Sequence, residues 1–179
     1  MAAGFVVAAP AYPRTRKDAR RFSRADVRNQ PADAWYVVRK VLAVPIFAGH
    51  LDAGRIAAAG HSAGGYTTAG LFTAGHDRRL RGGIVIAGAG MAGAFSGPRA
   101  ALLFIHGTAD PTVPIEAARA AYDRVNWPKA FLALKGQDHG AYLTPGQPDF
   151  TRVLATTLDF LRWTLYDDLA ARGRLTLTT

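Results

Sequence analysis

The chain has 179 residues, no cysteine and a formal net charge of +9, from 22 Lys and Arg against 13 Asp and Glu. Hydrophobic residues make up 49% and charged residues 20%. That composition fits one globular domain over residues 1–179, with enough chain to bury a sizeable core, and excludes a disordered or fibrous protein. The missing cysteines exclude disulfides, thiolate nucleophiles and thiolate-ligated zinc or iron–sulfur sites.

Residues 4–10, Gly-Phe-Val-Val-Ala-Ala-Pro, form a continuous apolar, β-branched run ended by proline, which predicts a buried strand. The run is too brief for a signal peptide and lacks a basic leader, so the sequence as it stands fits the cytoplasm, with export left open. No window approaches the ~18 consecutive apolar residues of a membrane-spanning helix. Arg14, Arg16, Lys17, Arg20, Arg21, Arg24 and Arg28 follow as a basic block. Without interleaved aromatics or a recognised binding module it reads as a solvated loop entering a helix, and no nucleic-acid partner is expected.

Asn29 can cap the next helix, with Pro31 in its first turn and Trp35, Val38 and Leu42 on one face. Residues 55–60 read as a second strand running into Gly60-His61-Ser62-Ala63-Gly64-Gly65, where a small-residue helix begins and continues to about Gly75. Strands are also predicted at 83–87, 101–105 and 131–134. The second of these ends in His106-Gly107-Thr108-Ala109-Asp110, the third in Gly136-Gln137-Asp138-His139-Gly140. Between them Pro114 opens a helix that buries Ala118, Ala121, Tyr122 and Val125. A final long helix carries Phe150, Leu154, Leu158, Leu161, Leu165 and Leu169 as its apolar stripe.

Strands alternating with helices predict an α/β fold, a three-layer α/β/α sandwich around a mostly parallel sheet of about five strands. Ligands in such sheets bind beyond the carboxyl ends of the strands. Ser62, Asp110 and His139 each follow a predicted strand at that end. A serine hydroxyl needs a neighbouring base and an exposed position to act as a nucleophile. The G-x-S-x-G turn supplies exposure, because Gly60 and Gly64 let strand and helix approach around a strained Ser62. His139 is then the expected base and Asp110 the acid that orients it. The order Ser, Asp, His excludes the chymotrypsin and subtilisin arrangements.

Other residues carry weaker signals. His61 is expected to point away from the nucleophile as a packed histidine, and His106 to support the Asp110 loop. Asp138 is a second-choice acid, while His50 and His76 read as surface residues. No His, Asp and Glu set shows metal-ligand spacing, and no metal or organic cofactor is expected. Gly88-Ala89-Gly90-Met91-Ala92-Gly93 spells G-x-G-x-x-G after a strand. It leaves room for barely one turn before the next strand, so it reads as a loop over the acyl side of the pocket, not a dinucleotide site.

Taken together, these segments resemble the α/β-hydrolase superfamily, most closely the dienelactone-hydrolase-like and chlorophyllase- and polyester-hydrolase-like bacterial esterases. Residues 4–10 with Tyr12-Pro13 resemble the strand before the second major helix of those enzymes, residues 60–65 the nucleophile elbow, and residues 106–114 the H-G-x-x-D-x-x-V-P acid segment. Asp138-His139-Gly140 is similar to the histidine loop. The resemblance implies hydrolysis of a small or polymeric carboxylic ester through an acyl-enzyme. It makes Ala63 N–H an oxyanion donor, and loop position offers Tyr12, Val113 and Tyr142 for the acyl surface. The shared acid and histidine segments leave a prolyl-oligopeptidase-like peptidase open, and a non-enzymatic interaction module is the third reading. Members of the superfamily also carry earlier strands and a loop giving the first oxyanion N–H. Nothing before Gly4 corresponds to them, so an unpaired sheet edge is expected near residues 5–8, open to pairing with a second copy of the chain.

Overall fold

A computed structural model describes residues 4–16, 18–73 and 75–178. Four strands form one parallel sheet in sequence order: β1 (Ile56–His61), β2 (Leu80–Ile86), β3 (Ala101–Gly107) and β4 (Lys129–Leu134). Five α-helices accompany them: α1 (Gln30–Leu42), α2 (Ala63–Leu71), α3 (Ile115–Asp123), α4 (Phe150–Tyr166) and α5 (Leu169–Thr178).

The layers follow from strand alternation. Leu102 and Phe104 of β3 point into one core with Val85, Ala69 and Phe72 of the α2 region, and Ala118 and Ala121 of α3. Leu103 and Ile105 point the other way, joining Ile84, Leu132 and Leu134 beneath Val153 and Phe160 of α4 and Leu175 of α5. Every residue of β3 is buried, as expected of a central parallel strand with helices on both faces. β1 is different: none of its six residues is buried, and its outer side has no partner strand among the described residues.

The three-layer architecture holds, with four described strands instead of five. Residues 4–10 form no strand. Val6 and Val7 are 60% and 80% exposed, and Gly4 is held through its carbonyl, which accepts the Tyr166 hydroxyl at 2.8 Å. An apolar β-branched run becomes a strand only where a neighbour completes its hydrogen bonds, and no backbone hydrogen bond joins this segment to β1. The free edge therefore lies at β1, not at residues 5–8.

Two helices also differ from expectation. Asn29 precedes α1 but does not cap it, since its side-chain amide donates to Asp26 instead. The long C-terminal helix breaks where Asp167 adopts a left-handed φ of 58°. α4 faces the core with Val153, Thr156, Phe160, Thr164 and Leu165, while Leu154 and Leu169 of the predicted stripe are 44% and 72% exposed. Thr164 tolerates burial because its hydroxyl donates to Phe160 O within the helix.

Candidate active site

The carboxyl ends of the strands lie level. Ser62 N–H donates to Ile86 O, Ala87 N–H to Ile105 O and Thr108 N–H to Leu134 O, each at 2.9 Å, continuing the ladder into the loops. Ser62 sits between β1 and α2 at φ 57°, ψ −118°. That strained conformation is one a serine holds only when its surroundings fix it. Gly60 and Gly65 are steric requirements, whereas a Cβ on Gly64, also expected to permit the close approach, would meet nothing within 4 Å. A Cβ on Gly60 would run into the Gly64 backbone, and one on Gly65 would lie 3.1 Å from Gly88 Cα.

His139 must reach Ser62 from the far side of the sheet, since β4 lies beyond β3 and β2. Its loop crosses directly over the end of β3, and Gly107 makes the crossing feasible. A side chain there would collide with the Gln137 and Asp138 carbonyls. The crossing is fastened by Ala109 N–H to Gln137 O at 3.0 Å and Gly136 N–H to Thr108 Oγ1 at 2.8 Å. Asp138 Oδ1 accepts the Gly140 and Ala141 N–H groups at 2.9 and 2.8 Å. Those two bonds, Ala141's the stronger, hold its carboxyl below the usual range. Asp138 shapes the turn and has no hydrogen bond to the His139 ring.

Ser62, His139 and Asp110 are brought together in one line. The Ser62 hydroxyl lies 2.8 Å from His139 Nε2, and His139 Nδ1 lies 2.8 Å from Asp110 Oδ2. The arrangement is consistent with the tautomer protonated at Nδ1, which donates to Asp110 and leaves the Nε2 lone pair to accept the Ser62 proton. The Asp110 side chain is fully buried. Burial alone pushes its carboxyl upward, but N–H donors from Val113 and Thr112 and the His139 ring outweigh burial and hold it below the ordinary carboxylate range. A buried carboxylate with saturated oxygens stays ionised and fixed in direction.

Both neighbouring histidines contribute. His106, 1% exposed, places Nε2 2.8 Å from Val113 O and 3.3 Å from Asp110 Oδ2, bracing the acid loop as the sequence suggested. His61 departs from expectation. It is exposed, not packed, and its Nε2 lies 2.6 Å from the His139 carbonyl oxygen, with the two rings 4.8 Å apart. His76, expected at the surface, is 8% exposed against Phe72 and Trp127. Burial lowers its imidazole below the ordinary value.

Ala63 opens α2 next to Ser62, and as the first helical residue its N–H has no acceptor within the helix. The residues expected to line the acyl surface are dispersed. Tyr142 is fully buried in the core beneath β3 and β4, where burial pushes its hydroxyl pKa upward. Val113 is 8% exposed and acts through its backbone on Asp110 and His106. Tyr12 is half-buried, and burial, then the nearby Asp33 carboxylate, raises its hydroxyl pKa. The Gly88–Gly93 loop opens no helix. Arg124 clamps it, donating to Gly93 O and Met91 O at 2.9 and 3.1 Å. No group of three metal-ligating side chains occurs among the described residues, and no described helix is long and apolar enough to cross a membrane.

No protein-family model matches the chain, and no curated protein matches it. Solved structures do. Arabidopsis thaliana SOBER1 superposes with a TM-score of 0.60 at 18% identity, covering 80% of this chain and 66% of that one. The esterase PE8 gives a TM-score of 0.56 at 22% identity, over 83% and 68% of the two chains. An acylaminoacyl peptidase from Pyrococcus horikoshii gives 0.63 at 18% identity, over 75% of this chain and 27% of its own. The chain thus has the α/β-hydrolase fold, with four strands among the described residues. It spans about two thirds of the first two proteins and about a quarter of the peptidase.

Proposed function

We propose that the chain is a serine hydrolase that cleaves carboxylic esters through an acyl-enzyme, with Ser62 as nucleophile, His139 as general base and acid, and Asp110 as the orienting carboxylate. The observation that carries this reading is the continuous line Ser62 Oγ, His139 Nε2, His139 Nδ1, Asp110 Oδ2, with both contacts at 2.8 Å. His139 takes the Ser62 proton as Oγ attacks the ester carbonyl, then gives that proton to the departing alkoxide. Water repeats the sequence on the acyl-enzyme, releasing the acid and free Ser62. The buried Asp110 carboxylate stabilises the imidazolium formed in each half. In this reading Ala63 N–H, at the positive end of α2, is the donor that receives the developing oxyanion.

A peptidase is the second reading, favoured by the fold overlap with the acylaminoacyl peptidase. The ester reading is preferred because an alkoxide leaves more readily than an amine from a site of this kind.

Incubation of the purified chain with a fluorophosphonate probe and short p-nitrophenyl esters, beside Ser62→Ala, tests the assignment. Labelling and turnover are expected in the wild type and absent from the mutant. Cleavage of aminoacyl anilides without ester turnover would move the chain to the peptidase reading. A folded wild-type chain that neither labels nor turns over any of these substrates would remove the enzymatic reading and leave an interaction module.

A further inference from the structure

At the opposite end of the sheet from Ser62, a cleft of about 470 Å³ opens among the N-terminal ends of the strands. Four arginines line it: Arg78 before β2, Arg81 in β2, Arg99 before β3 and Arg172 in α5. Its floor includes Ala100 and Ala101, and Asp167 is its one carboxylate. Arg81 already has partners, donating to Gly54 O at 3.0 Å and to Asp167 at 3.2 Å. Arg172 lies over the Trp163 ring, 5.4 Å from its centroid, and is held in place without its charge being neutralised. Among the described residues Arg78, Arg99 and Arg172 form no ion pair, and all three are exposed. Asp77, next in sequence to Arg78, is committed to Arg79 through contacts of 2.8 and 2.9 Å.

We propose that this cleft binds a small oligophosphate: a free ligand carrying several linked phosphate groups. The volume is that of a small-molecule site. Guanidinium forks offer paired N–H donors matched to phosphate oxygens and stay protonated at any physiological pH. Three unpaired forks on separate elements, the loop before β2, the loop before β3 and α5, converge on one space. A ligand there gains by carrying linked anionic groups, since each further phosphate brings oxygens for a further fork. The site is separate from the ester chemistry: β3, with seven residues, puts roughly 20 Å between its two ends. The proposal therefore stands whether or not Ser62 is a nucleophile.

Calorimetric titration of the purified chain with sodium tripolyphosphate at 150 mM NaCl tests it, with citrate and phosphatidylglycerol vesicles titrated separately. One saturable tripolyphosphate site per chain is expected. The exposed triple variant Arg78→Gln/Arg99→Gln/Arg172→Gln should bind at least about tenfold more weakly, given the strength of hydrogen bonds to charged groups. The charge-matched triple Arg14→Gln/Arg20→Gln/Arg24→Gln should bind as the wild type does. Equal weakening in both triples would reduce the binding to diffuse positive charge and overturn the site. Absence of saturable binding overturns it outright. Citrate binding as tightly as tripolyphosphate removes the phosphate assignment, and binding to vesicles alone removes the free ligand.

Discussion

Asp110 and Ser62 face the same imidazole from two unlike supports. Asp110 follows β3, whose seven residues are all buried between two helical layers. Ser62 follows β1, a half-exposed alanine-rich strand that among the described residues is hydrogen-bonded on one side only. Asp110 is positioned by the core; Ser62 is positioned by a strained backbone wedged between glycines and tied to β2 through Ile86 O. Stability and chemical geometry are therefore separable in this molecule, and substitutions on the two supports should behave differently.

The largest effect is expected at the acid. Asp110→Asn keeps the shape but inverts the hydrogen-bond preference at His139 Nδ1, and should lower ester turnover by about 10⁴-fold. A steady-state assay decides, and a loss below tenfold would show that Asp110 does not orient the base. Next, Phe104→Ala in β3 should cost about 3–5 kcal/mol in urea unfolding, as a fully buried phenylalanine does. Ile56→Ala in β1, only partly buried, should cost less than half of that. Equal costs would abolish the contrast between centre and edge.

A smaller effect tests the join between the two supports. His61→Ala removes the side chain against the His139 carbonyl and should slow turnover by roughly tenfold, the value of one hydrogen bond, while the melting temperature barely moves. A large fall in melting temperature would recast His61 as a structural residue.

The smallest effect concerns pH at the entrance to β2. Asp77 is held at a pKa of about 2, chiefly by the Arg79 side chain. A carboxyl depressed on folding stabilises the protein fully above its unfolded value, near 3.8, and loses that contribution as pH falls through about 2. The pair is about a third exposed, so Asp77→Asn should cost no more than about 1 kcal/mol at pH 7. The difference from wild type should shrink between pH 4 and pH 2 in denaturant titrations.

Much of the candidate site's geometry was legible because its motifs are local. Strand ends, glycine turns and the order Ser, Asp, His occupy short windows, and the structure places those side chains in line. What the sequence did not reveal depends on distant partners. Residues 4–10 have the composition of a strand, but a strand also requires a neighbour, which composition does not encode. The leucine stripe of α4 matches the buried face only in part: Leu161 and Leu165 pack inward, Leu154 does not, and Thr156 and Thr164 count as polar in a periodicity yet are buried. Tyr142, expected on the acyl surface, and His76, expected at the protein surface, are both enclosed by elements remote in sequence. Gly107 carried a signal, a glycine closing an apolar strand, but the loop that crosses it lies thirty residues onward.

That crossing ties two stretches of the gene together. Because the histidine loop rests on the bare backbone at residue 107, the segments holding Gly107 and Gln137–Asp138 form one inheritable unit. A recombination breakpoint between them, or a loop graft that changes the length of 135–140, would yield a folded chimera with His139 misplaced unless both parts were transplanted together.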